Sequence, residues 1–268
     1  MIYDLQKASM WKRISAFLCD IILFCIVAVG IAFLLSFLLG MDAQQNKAIE
    51  ICDRYAEEYG LDAFLTDEEL DGAITLALSA ERYGELTEEQ QAIFKAATDA
   101  LRADKEYLHA YGMVGQLILI VVTFSALVSQ LLLEFVVPLL LKNGQTVGKK
   151  VFGVAVMRID GVKASPVILL IRALLGKYAV ETMIPVFVLL SFVLGTASIV
   201  SIALLLLLIL AQLILLAFTQ ARTPLHDMLA GTVTVDLASQ LIFDTPEDLL
   251  EYKKKLHAES VAEKSQHS

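Results

Sequence analysis

Long apolar runs alternate with polar stretches along the chain. Residues 14–40 carry one internal charge, Asp20, residues 113–141 carry one, Glu134, and residues 199–219 carry none. A hydrocarbon core about 30 Å thick is crossed by roughly 20 apolar helical residues. Each run therefore predicts a transmembrane helix rather than a buried helix of a soluble domain. A further apolar run, 165–194, is interrupted by Arg172, Lys177, Glu181 and Pro185. It reads as an interfacial helix over 166–178 and a short crossing over 180–194, with a turn of small residues at 195–198. Lys and Arg at such a boundary keep their stems in lipid and their heads in water. The first run opens with Lys12 and Arg13, as a signal peptide would. Its apolar stretch is too long, and no small-x-small cleavage site follows Leu39, so a retained helix is expected.

The polar segment 42–112 has helical periodicity. Ala48, Ile51, Cys52, Tyr55 and Tyr59 form one stripe, Leu70, Ala73, Ile74, Ala77 and Leu78 a second, and Ile93, Ala97, Leu101 and Leu108 a third. Thr66 with Glu69 and Thr87 with Gln90 spell capping boxes. Tyr107 and Tyr111 sit where an outer aromatic belt would. Beyond the second span, Val and Ile over 154–159, followed by Asp160-Gly161, predict a short strand and turn, and 232–236 predicts a second strand that pairs with it. Thr245 as N-cap and Pro246 at the first position predict a helix over 246–257, with disorder from 258 onward. The fold class expected is an all-α membrane protein with about four transmembrane helices, an extracytoplasmic helical insert and a small cytoplasmic β element. Its order is 1–41, 42–112, 113–141, 142–178, 179–219 and 220–268.

Charge orients this plan. Residues 42–112 hold seventeen acidic and six basic residues, a balance of −11, whereas 142–182 hold seven basic and two acidic, a balance of +5. Short loops rich in Lys and Arg stay in the cytoplasm. The insert is then outside and both termini are inside, in a cell membrane. Hydrophobic residues make up 57% of the chain, above the 45–50% or so of soluble domains, and the net charge of −9 is mostly that of the insert. With no basic stripe away from the membrane-proximal loop, nucleic acid is not an expected partner. The lipid bilayer is one, and a homo-oligomer and a protein bound to the insert complete the set.

Chemistry-bearing motifs are few. Cys19, Cys25 and Cys52 show no zinc or redox spacing and read as small apolar residues. The acidic runs lack a calcium-loop pattern. Gly144 to Lys150 suggests a phosphate loop, but Lys150 stands where Ser or Thr is required and a transmembrane helix precedes it instead of a strand. No His-Glu-x-x-His or Gly-x-Ser-x-Gly occurs, and His226 beside Asp227 has no nucleophile placed with it. No enzyme, cofactor or metal is expected.

Three separated motifs then point one way. Trp11-Lys-Arg13-Ile-Ser-Ala16-Phe-Leu-Cys-Asp20 opens the first span. Gly144-Gln-Thr146-Val-Gly148-Lys149, with Gly153, fills the inner loop ahead of Arg172. Arg222-Thr-Pro-Leu-His226-Asp227-Met-Leu-Ala230-Gly231-Thr232 follows the last span. In order and content they resemble the RDD family of bacterial membrane proteins, whose Arg and two Asp correspond to Arg13, Asp20 and Asp227. The resemblance covers the spans and inner loops, not 42–112 or the tail after Ala238. It implies a role in transport, with sodium/proton exchange associated with some members.

The residues carry weight of their own. Arg13 and Asp20 are seven apart, about 700° of helix, so they share a face with Ala16 between them. Asp20 and Glu134 lie inside apolar runs, where acids serve ion or proton sites by default unless paired. Asp20 is expected to pair with Arg13 or Arg172. Two function classes stay open: a small secondary transporter or cation/proton exchanger, or a non-transporting scaffold for assembly or signalling that binds a protein through its acidic insert. In the first, Arg13, Asp20, Glu134, Arg172 and Asp227 are ion or proton residues; in the second, Arg13, Asp20 and Asp227 clamp helices together. No internal repeat supports alternating access within one copy.

Overall fold

The structure, a computed structural model, describes residues 8–141, 143–193, 198–218 and 223–266. It resolves into two compact units, one of residues 1–29 and 126–268, the other of 30–125.

Helix α1, Met10–Leu38, is apolar on all sides, and its most apolar stretch is not buried by the rest of the chain. The polar insert follows with α2, Met41–Glu58, and α3, Glu88–Ala103, separated by short helical turns at Leu61–Ala63, Asp67–Leu70 and Ala80–Glu85. Both capping boxes form. The second predicted stripe, 70–78, does not become a helix. Gly72 adopts a left-handed φ of 68° and closes the turn at Leu70, as a glycine just past a helix end does. Cys52, Leu61, Phe94, Ala97, Leu101 and Tyr107 form the insert's own core. Tyr107 is thus interior, its hydroxyl donating to the Ile74 carbonyl at 3.3 Å, and it does not belong to an aromatic belt.

Helix α4 begins at Lys105–Leu131, widens into a π-helical turn at Leu132–Val136 and ends as Val137–Leu141. Short helix α5, Val147–Val151, leads to strand β1, Val154–Arg158. Helix α6 runs from Pro166–Ile171 through a π-helical stretch, Arg172–Thr182, into Met183–Val193. No break separates an interfacial part from a crossing part: the chain stays helical through Tyr178 and changes pitch instead. The apolar α7, Ile199–Phe218, precedes the short α8, Leu225–Leu229, strand β2, Thr232–Asp236, and α9, Pro246–Gln266. Among the described residues three helices are long and apolar enough to cross a membrane, Met10–Leu38, Lys105–Leu141 and Pro166–Phe192, with a shorter apolar stretch at Ile199–Leu215. The turn expected at 195–198 falls outside the described residues except for Ser198.

Strands β1 and β2 pair antiparallel, Val154 opposite Asp236 and Arg158 opposite Thr232. Alternation sorts the two faces. Ala155, Met157, Val233 and Val235 make one apolar face with Ile242, and Thr232 and Thr234 fall on the other. Helix α9 is capped reciprocally by Thr245 and Asp248. It continues to Gln266, past the stop expected at His257 and through residues expected to be disordered. The sequence after His257 contains no Gly or Pro to end it.

Candidate functional site

Two proline positions shape the site. A proline ring clashes with the carbonyl four residues earlier and removes a helix hydrogen bond. Pro138 and Pro185 stand four residues after Glu134 and Glu181, and each follows a π-helical stretch. Such stretches recur at functional sites. In an α-helix Arg172 and Lys177, five residues apart, would point about 140° from one another. In the i to i+5 ladder of the π-helix they project alike, and both reach Glu134. Arg172 Nη1 donates to Oε2 at 3.0 Å, and Lys177 Nζ pairs with Oε1.

Arg172 also ties Glu134 to Asp227. Its Nε donates to Asp227 Oδ1 at 2.7 Å, and both side chains are fully buried. The hydroxyls of Thr232 and Thr234, on the polar face of β2, donate to Asp227 Oδ1 and Oδ2 at 3.0 and 2.9 Å. Burial opposes the Asp227 charge, but the Arg172 guanidinium above all holds this carboxyl well below the ordinary range. Arg172 Nη2 is the one buried side-chain polar atom, among the described residues, without a hydrogen-bond partner.

Asp20 has a different cradle. Thr146 Oγ1 donates to Oδ2 at 2.5 Å, the Gly148 backbone N–H to Oδ1 at 2.8 Å, and Lys149 Nζ stands 3.5 Å from Oδ2. Thr146 caps α5 as well, accepting from the Lys149 backbone N–H. A Cβ on Gly148 would run into the Ala16 carbonyl and the Asp20 carboxylate. Burial pushes Lys149 down to about 8; Glu134 and Asp20 oppose the shift, while Lys177 and Arg172 add to it. The partners expected for Asp20 are therefore replaced. Arg172 pairs with Glu134 and Asp227, and Arg13 reaches the Thr234 carbonyl at 3.4 Å. Lys12, next to it, pairs with Asp236 at 2.6 Å.

His226, on α8, completes the array. Its Nδ1 lies 2.9 and 2.8 Å from the two Glu181 oxygens, and its Nε2 3.5 Å from Asp227 Oδ1. Gln212 of α7 donates to Glu181 at 2.5 Å and accepts from the Leu225 N–H at 3.1 Å. Gly176 admits α8 to this position, for a Cβ there would stand 2.5 Å from His226 Cβ. Burial and then Arg172 draw His226 below its ordinary value, against the pull of Asp227 and Glu181.

The structure thus brings Asp20, Thr146, Gly148 and Lys149 into one cluster, and Glu134, Arg172, His226 and Asp227 into another. Gly144, Gly153 and Gly231 hold left-handed turns around them, with φ of 60°, 64° and 61°. Lys177, Glu181, Gly176, Gln212, Thr232 and Thr234 belong to the site without having been singled out from sequence. The repeated Glu-x-x-x-Pro and the five-residue Arg–Lys spacing inside an apolar run are the signals that mark Glu181 and Lys177. Among the described residues, no group of three or more His, Cys, Asp or Glu is arranged to hold a metal ion.

The profile of the RDD family matches residues 7–231, most of the chain. The chain belongs to the RDD family. The matched span contains every residue of both clusters except Thr232 and Thr234, and its bounds enclose 42–112. No curated protein and no solved structure matches the chain.

Proposed function

We propose that this RDD protein is a small secondary transporter that exchanges a cation for protons across the cell membrane. One observation carries the reading: four carboxylates, Asp20, Glu134, Glu181 and Asp227, are interleaved with Lys149, Arg172, Lys177 and His226 where the apolar helices meet the β1–β2 sheet. Such an array is a poor way to gain stability, because well-packed apolar residues hold helices together as well as buried ion pairs do. Ionisable groups within membrane helices mark ion and proton paths by default. The π-helical stretches under Glu134 and Glu181 add segments able to rearrange.

The loop charges favour an orientation with 42–112 outside and both termini in the cytoplasm. In vesicles holding the purified chain and a pH-sensitive dye, a pulse of sodium, lithium or potassium should collapse an imposed pH gradient. Collapse no faster than in empty vesicles for all three cations would overturn the exchanger.

A second reading is a non-transporting scaffold. It draws on the insert, which has its own core and an acidic groove lined by Glu50, Asp53 and Glu57. Replacing those three by Lys would then abolish partner binding and leave cation flux unaffected.

A further inference from the structure

We propose that Glu181 and His226 form the proton-binding site of this protein, the proton being taken up on His226 Nε2 and the charged ring held between the Glu181 and Asp227 carboxylates. The proposal rests on the exchanger reading and names the group that carries its proton.

The carboxylates of the array divide by their partners. Asp20 has Lys149, Asp227 has Arg172, and Glu134 has both Arg172 and Lys177. The Arg172 guanidinium is charged at every ordinary pH, so the Glu134 and Asp227 pairs behave as clamps, and Asp20 is held besides by the Thr146 hydroxyl and the Gly148 N–H. Glu181 differs: among the described residues its ion-pair partner is His226 alone. Its other donors are neutral, the Gln212 amide at 2.5 Å and the His226 backbone N–H at 3.2 Å. Histidine is the side chain whose charge changes most readily near neutral pH.

The ring's surroundings place the proton. Nδ1 faces two carboxylate oxygens, so it carries a hydrogen and donates. In the neutral ring Nε2 then holds a lone pair, 3.5 Å from Asp227 Oδ1. A lone pair facing a carboxylate is repelled, whereas an N–H there is attracted. Uptake transfers one proton from a hydronium ion or buffer acid to that lone pair, leaving water or the conjugate base. The ring gains one positive charge and no other bond breaks.

The groups around the ring set its response. Arg172, Lys177 and Glu181 come from α6, Asp227 from α8 itself, Gln212 from α7, and the uncharged Thr232 and Thr234 from β2. A protonated Nε2 adds a donor to Asp227 Oδ1, which already accepts from Arg172 and Thr232. Arg172 then shares Asp227 with a competitor, and through its other arm the change reaches Glu134. The free Nη2 gives the guanidinium a donor to use as it shifts.

Two measurements on the full chain test this. Isotope-labelled histidine is followed by NMR in lipid nanodiscs, with His226 among the four histidines identified by the signal lost in His226→Gln. We expect His226 to titrate below 6.5, and Glu181→Gln to lower its midpoint by about one pH unit or more, because the adjacent anion is gone. In vesicles, folded Glu181→Gln and His226→Gln should lose cation-dependent proton movement, while Glu181→Asp keeps part of it and shifts the midpoint less. An unmoved His226 midpoint in Glu181→Gln, or parental flux and pH profile in folded His226→Gln, would overturn the proposal. If neither glutamine variant folds, an unmoved midpoint in Glu181→Asp does so. Absent flux in the parent removes the exchanger reading, and the His226 titration still decides whether the pair binds a proton. Parental flux in His226→Gln removes the pair and leaves the exchanger.

Discussion

Asp20 and Asp227 carry the same charge and hold different things in place. Asp227 is fully buried against Arg172, and an amide there would leave the guanidinium without one of its counter-charges. Breaking a buried pair costs about 3–5 kcal/mol, so Asp227→Asn should sharply reduce folded yield. Asp20 keeps a hydroxyl and a backbone N–H besides its longer contact with Lys149, and Asp20→Asn should cost less. The ranking is read from thermal melts in detergent; equal losses would contradict it. Glycines give a companion test. Gly148→Ala and Gly176→Ala drive a methyl into Ala16 and His226, an overpacking cost of about 1–3 kcal/mol. Gly84→Ala meets nothing within 4 Å and should melt like the parent.

The same residues set a pH dependence. The folded Asp227 pKa is depressed, so its contribution is present above the ordinary value of 3.8 and is lost as pH falls toward the lower folded value. The folded His226 pKa is also lowered. Between that value and 6.5 the unfolded chain binds more protons, and stability falls as pH drops through this window. Both act in one direction. The melting temperature should fall steadily from neutral pH toward pH 4 and fall less below 6.5 in His226→Gln; a melting temperature that rises on acidification would contradict both assignments.

At the scale of elements, the apolar runs, the capping boxes and the paired strands were legible because each rests on local chemistry. The Thr87 cap is an instance: its hydroxyl accepts from the Gln90 N–H while the Gln90 side chain accepts from the Thr87 N–H. Thr87→Ala should cost about 1 kcal/mol and speed hydrogen exchange over the first turns of α3; unchanged exchange would contradict the cap. The failures have local causes too. Gly72 cut short a periodic stripe, and the lack of a breaker after His257 let α9 run on. The site was half legible. Asp20, Glu134 and Arg172 stood out as charges in apolar runs, and Asp227 through the family motif, but their pairing depends on helix pitch. A regular 3.6-residue repeat cannot bring Arg172 and Lys177 to one carboxylate. Only the prolines four residues beyond Glu134 and Glu181 hint that the repeat fails there.

At the scale of the molecule, the loop charges predict a topology with 42–112 outside and both termini inside. A cytoplasm-dependent reporter fused after Ser268 should be active, and the exposed Ala80 changed to Cys should react with an impermeant reagent added outside. An inactive reporter, or labelling only after lysis, would invert the orientation. The central claim, that the buried charge array moves cations against protons, is tested most directly by labelled-cation uptake. Vesicles containing the parent protein are given an imposed pH gradient, and sodium, lithium and potassium are followed in turn. The account predicts uptake of at least one cation that stops when an ionophore dissipates the gradient. Uptake that is absent for all three cations, or that continues undiminished without a gradient, would contradict it.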